Sequence, residues 1–106
     1  MNNFADMLSK AKAMQDKMRE AQDKIKKIEV EGVAGGNLVK VTLTGDYELK
    51  SIILSDSAKK ENQEIINDLI KAAYNNAKEN LKKKSAEEIS KVTGGIDLPT
   101  NFKLPF

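Results

Sequence analysis

The sequence predicts an α+β domain: a long helix, a three-stranded antiparallel β-meander, a second long helix and an extended C-terminal tail. The helical arms would project from a dimeric sheet core. Three patterns predict this. Phe4, Met7, Ala11, Met14, Met18, Ala21, Ile25 and Ile28 alternate at spacings of three and four, which is the seam of a helix. Val39, Val41 and Leu43 alternate with Lys40, Thr42 and Thr44, the two-residue period of a strand with one buried face. Ile65, Leu69, Ala73, Ala77 and Leu81 then recur every fourth residue, reinforced by Ile66, Ile70 and Tyr74.

The first helix spans residues 3–27, a rod of roughly 37 Å at 1.5 Å per residue. Written as heptads, Phe4, Ala11, Met18 and Ile25 take position a, and Met7, Met14, Ala21 and Ile28 take position d. Lys10, Lys17 and Lys24 line one flank at g. Ala5, Lys12, Arg19 and Lys26 line the other at b, while Asp16 and Asp23 fall at f on the far side. An apolar seam between two basic rows is either a coiled-coil strand or a positively charged arm. In a parallel pair, Lys10 would face Gln15, Lys17 would face Gln22 and Lys24 would face Glu29, so only the last attracts. An antiparallel pair would bring lysine rows together. Alanines and three methionines also make the seam soft, so the pattern argues against self-pairing along its full length.

The period changes near Ile28, and residues 28–55 form the meander. Glu29-Val30-Glu31 opens the first strand, Gly35-Gly36 turns it, and Leu38 to Thr44 is the clearest strand in the chain. Gly45-Asp46 makes a second turn, and Tyr47 to Leu54 is the third strand. The second helix spans 58–93, starting near Ala58 or, with Asn62 as its cap, a turn later. Its first half faces the core. Its second half, with Leu81, Ile89 and Val92 among Lys82-Lys83-Lys84 and Glu87-Glu88, projects into solvent. Gly94-Gly95 caps it, and residues 94–106 form a tail apolar enough to dock. One sheet face or edge is left over, and a C2 dimer would bury it.

At 106 residues the chain is a single small domain, 1–106, for which self-association helps bury area. The net charge of +2 does not by itself announce a nucleic-acid binder, but the distribution is segregated. Residues 1–28 balance at +3, residues 29–57 at −3 and residues 58–106 at +2. With no cysteine and no histidine, disulfides, thiolate nucleophiles, Cys/His zinc sites and imidazole bases are excluded. Gly35-Gly36-Asn37 lacks the lysine of a phosphate-binding loop, and Glu87-Glu88 are adjacent on a helix and point apart. The reading is therefore not an enzyme, with no cofactor, metal or small-molecule substrate. No apolar leader or membrane-length stretch is present, which leaves a soluble cytoplasmic protein as the expectation.

The residues also carry a family resemblance. Lys10-Ala11-Lys12-Ala13-Met14-Gln15-Asp16-Lys17-Met18 resembles the first-helix signature of the YbaB/EbfC family of bacterial nucleoid-associated proteins. Glu29-Val30-Glu31-Gly32, Ala34-Gly35-Gly36, Val39-Lys40-Val41-Thr42 with Gly45, Asp68-Leu69-Ile70-Lys71-Ala72-Ala73-Tyr74-Asn75, Thr93-Gly94-Gly95 and Leu104-Pro105-Phe106 continue it in order. The resemblance implies a tweezers-shaped homodimer that binds duplex DNA in the nucleoid and alters its conformation, influencing gene expression and nucleoid organisation. Two positions depart from the family pattern. Asp56-Ser57 stands where Asp-Pro is usual, which should loosen a turn, and Asn75-Asn76-Ala77 stands where Asn-Asp-Ala is usual.

Phosphate recognition needs cations at suitable reach rather than a large net charge. The candidate DNA-binding residues are Lys10, Lys12, Lys17, Arg19 and Lys24 on the first helix and Lys82, Lys83 and Lys84 on the second. A single arginine leaves little for bidentate base reading, so sequence preference should be weak. The rival reading is a prefoldin-like protein-binding clamp or coiled-coil interaction module, to which Met7, Met14 and Met18 would lend an adaptable apolar surface.

Overall fold

The computed structural model describes residues 2–92. The expected Gly94-Gly95 cap and the tail lie outside them. In chain order the elements are α1 (Asn2–Lys26), β1 (Glu29–Ala34), β2 (Val39–Thr44), β3 (Leu49–Leu54), α2 (Asp56–Lys59) and α3 (Gln63–Val92). The sheet is an antiparallel meander in the order β1-β2-β3. Lys24 and Lys26 occupy the last turn of α1, where cations favour the helix dipole. No helix among the described residues is long and apolar enough to cross a membrane.

The alternation in β2 sorts its side chains as the sequence predicts. Val39, Val41 and Leu43 are fully buried with Val30 of β1 and Ala73, Ala77 and Leu81 of α3, which form the main core. Small residues bring α3 against β1: a side chain on Gly32 would collide with the Ala73 carbonyl and the Ala77 backbone. Gly35, Gly36 and Asn37 all take positive φ in the β1–β2 turn, which explains the glycine pair there.

Helix α1 and strand β2 are displaced from the sequence expectation by one residue, and larger differences occur at β3 and the second helix. β3 starts at Leu49 because Tyr47, at φ 64°, and Glu48 belong to the turn, where Thr44 Oγ1 accepts from the Glu48 N–H at 3.2 Å. The β2–β3 register shifts between Thr42, which faces Ser51, and Leu43, which faces Leu49, leaving Lys50 as the extra residue of β3. The second helix is divided, and both candidate starts are used. Ser55 Oγ accepts from the Ala58 N–H at 3.1 Å to cap α2, and Asn62 Oδ1 accepts from the Ile65 N–H at 2.9 Å to cap α3. The Asp56-Ser57 departure thus sits in a capped helical turn rather than a loosened one.

Beyond the sheet, α3 does not project alone. Its buried Ile89 packs with Ala21 and Ile25 of α1, and Met18, Ile28 and Val92 close around them. Since α1 runs into the sheet and α3 runs out of it, the two helices are antiparallel. Among the described residues this contact reaches Met18 and Val92, and the earlier turns of α1 lie beyond it.

Candidate nucleic-acid interface

The heptad seam determines where the cations of α1 go. A seven-residue step on a 3.6-residue helix returns to within about 20° of the same direction. Lys10, Lys17 and Lys24 therefore form one row, and Lys12, Arg19 and Lys26 form another on the opposite flank of the seam. All six are exposed. Within each row the cations follow one another at about 10 Å. Lys24 reaches Glu20 at 3.6 Å, an exposed pair of the kind that contributes less than about 1 kcal/mol. Among the described residues, Lys10, Lys12, Lys17 and Arg19 pair with no carboxylate. They are the cations least committed to the protein itself.

The lysines of α3 are arranged differently. Lys82, Lys83 and Lys84 are all exposed, but consecutive helical residues point about 100° apart, so the three fan around the helix. Lys82 bonds Glu79 at 3.6 Å and borders a groove of ≈ 330 Å³ beside the β2–β3 turn, with Ile25, Tyr47 and Ile89. These lysines lie near the sheet, since Ile89 further along α3 already meets Ala21 and Ile25. Lys10 and Lys12 lie instead on the uncovered end of α1. The eight candidates thus fall into two groups, one along the free arm and one at its base, and Lys26 extends the second row of α1 beyond those candidates.

Two residues outside the candidate DNA-binding set have a structural bearing on the interface. The Val33 N–H donates to Asn76 Oδ1 at 3.0 Å, and Asn80 Nδ2 donates to the Glu31 carbonyl at 2.8 Å. Both bonds engage outward-facing backbone groups of β1, so α3 covers part of that sheet edge. The opposite edge, β3, carries exposed Leu49, Ile52 and Ile53. Apart from the departure noted at Asn76, the sequence signal for the asparagines is their i, i+4 spacing beside the core stripe.

Comparison with known proteins agrees with this architecture. A crystal structure of an uncharacterized protein from Helicobacter pylori superposes with a TM-score of 0.70, covering 86% of this chain and 97% of that one at 19% identity, a likeness of fold. A nucleoid-associated protein of Bartonella bacilliformis is 42% identical over 107 residues, spanning 100% of this chain and 99% of the relative. One from Granulibacter bethesdensis is 43% identical over 107 residues, spanning all of both chains. Residues 1–96 match the profile of the YbaB/EbfC DNA-binding family. With that match covering nearly the whole chain, the protein belongs to the YbaB/EbfC family of nucleoid-associated DNA-binding proteins.

Proposed function

We propose that the protein binds duplex DNA as a homodimer, gripping phosphates with the basic flanks of α1 and, closer to the sheet, with Lys82, Lys83 and Lys84. The observation that carries this reading is the pair of cation rows on opposite flanks of α1, with Lys10, Lys12, Lys17 and Arg19 unpaired among the described residues. Lysine contacts to phosphate position a protein without reading bases, so binding has little sequence specificity. Two arms acting from one core would impose a shape on the duplex, and that is how the protein alters DNA conformation and organises the nucleoid.

The dimer forms through β3. Its edge is open and apolar, with Leu49 and Ile53 about half exposed, whereas α3 side chains occupy part of the β1 edge. A C2 axis there places two arm pairs on one sheet core. One observation favours the rival clamp for unfolded chains: Phe4, Met7 and Leu8 are exposed on the free end of α1. Salt separates the two readings. Fluorescence anisotropy on random-sequence duplex should show affinity falling steeply as ionic strength rises, as counterion release requires. The double variant Lys17→Glu/Arg19→Glu should lose most of the affinity while staying folded and dimeric. Absence of binding at low salt, or undiminished affinity in the variant, refutes the assignment.

A further inference from the structure

The acids of α1 all lie on one side of it. In the heptad frame Asp6 and Glu20 take position c, and Asp16 and Asp23 take position f. At about 100° per residue, positions d, a and e make a front face about 100° wide. Positions b and g then lie about 110° to either side of its middle, and c and f about 150° away at the back. The helix is thus sorted three ways: the apolar seam in front with Leu8, Gln15 and Gln22 at e, cations on both flanks, and acids behind. Before Met18 the front is exposed, with Phe4 at 70%, Met7 at 66%, Leu8 at 57% and Met14 at 38%, and Gln15 exposed beside them. Residues two apart point about 200° apart, so Lys10 and Lys12 straddle this face as a pair, and Lys17 and Arg19 do so again further along.

We infer that α1 enters the major groove of duplex DNA front face first. Met7, Leu8, Ala11, Met14 and Gln15 turn toward the base edges, and each cation pair bridges the groove to phosphates of both strands. The inference rests on the DNA reading and specifies which face of the arm meets the duplex. Charge decides the orientation. Back first, Asp6, Asp16, Glu20 and Asp23 would be pressed against phosphate. Flank first, one cation row would grip while the other pointed away. Front first, both rows reach phosphate and all four acids face solvent.

Width decides the groove. A helix with its side chains is about 10–12 Å across, which the major groove at about 12 Å admits and the minor groove at about 6 Å does not. From Phe4 to Gln15 the face is about 17 Å long, the length of about five base pairs. Its apolar side chains suit thymine methyl groups, and the Gln15 amide can bond an adenine edge. Sequence preference is therefore slight and directed to A·T pairs. The exposed Phe4, Met7 and Leu8, which would otherwise favour a clamp for unfolded chains, are accounted for by their place between the two cation rows.

The test places one charge on two faces. Gln15→Glu puts a carboxylate in front and Ala13→Glu puts one at the back, both at exposed helical positions. In fluorescence anisotropy on mixed-sequence duplex at low salt, Gln15→Glu should weaken binding about tenfold and Ala13→Glu by less than about threefold. The parent protein should also lose about tenfold in affinity on a duplex whose cytosines carry glucosylated hydroxymethyl groups, which fill the major groove and leave phosphate charge unchanged. Equal losses from the two carboxylates, or undiminished affinity for the glucosylated duplex, overturn the inference while the DNA reading stands. A netropsin-sensitive complex would then lie in the minor groove, and an insensitive one on the phosphates alone. A change of mass for Gln15→Glu in light scattering, with DNA affinity unchanged, overturns it in favour of a second copy on this face. If the parent fails to bind unmodified duplex at low salt, the DNA reading itself falls, and the inference with it.

Discussion

Gly32, like Gly45 against the Ile25 carbonyl, is a position at which a single methyl group would collide with backbone. A Cβ there meets the Ala73 carbonyl and the Ala77 backbone, neither of which can move without displacing α3 from β1. Gly36 has nothing within contact range and only its positive φ to defend. Urea denaturation should therefore find Gly32→Ala destabilised by about 3 kcal/mol, from overpacking, and Gly36→Ala by only about 1 kcal/mol, from left-handed backbone. Equal losses would mean that the helix yields. Asn76 supplies a second case. Removing its acceptor in Asn76→Ala strands the Val33 N–H at a partly solvated edge, a cost of about 1 kcal/mol. Asn76→Asp keeps an oxygen in place and should unfold near the parent midpoint. This explains why the departure from the family's Asn-Asp-Ala is tolerated. It was not legible in the sequence, because the partner strand lies 43 residues away and nothing local marks the bond.

The elements themselves were legible because period and punctuation agree in each. The three–four seam gave α1, the alternation through Val39, Val41 and Leu43 gave β2, and Ala73, Ala77 and Leu81 gave the face of α3. The division of the seam was less visible. Phe4 and Ile25 occupy the same heptad position, but Ile25 packs with Ile89 of α3 and is buried while Phe4 is exposed. Periodicity reports which face is apolar and is silent on what covers it. The α3 stripe shows the same effect at its other end, where Ile65 is 41% exposed despite its place in the pattern, since the sheet reaches only the later turns. Thermal or chemical unfolding should thus separate the two. Ile25→Ala should cost about 3 kcal/mol by opening a cavity under α3, and Ile65→Ala less than about 1 kcal/mol. The cations followed the same logic. Their rows on α1 and the fan of Lys82, Lys83 and Lys84 could be drawn from spacing alone, whereas the place of that fan at the base of the arm became visible only once α3 was placed against α1.

The molecule as a whole is an arm joined to a small sheet, and the sheet has one apolar edge left over. In the proposed dimer, self-association and DNA binding are linked through that edge, and the link can be measured. Ile52 and Ile53 are exposed, so a charge at either position leaves the core of Val39, Val41 and Leu43 untouched. Ile53→Lys should accordingly remain folded by circular dichroism but elute at half the parent mass in light scattering. The slope of log affinity against log salt is roughly −0.9 for each phosphate neutralised on duplex DNA. A monomer brings one set of arm lysines instead of two, so its slope should fall to about half the parent value, with affinity reduced at every salt concentration. A basic substitution makes the test stringent, because added positive charge alone would steepen the slope. If Ile53→Lys stays dimeric, the interface lies elsewhere on the sheet. If it is monomeric with the slope unchanged, a single arm carries the whole binding site and the second subunit contributes nothing to phosphate contact.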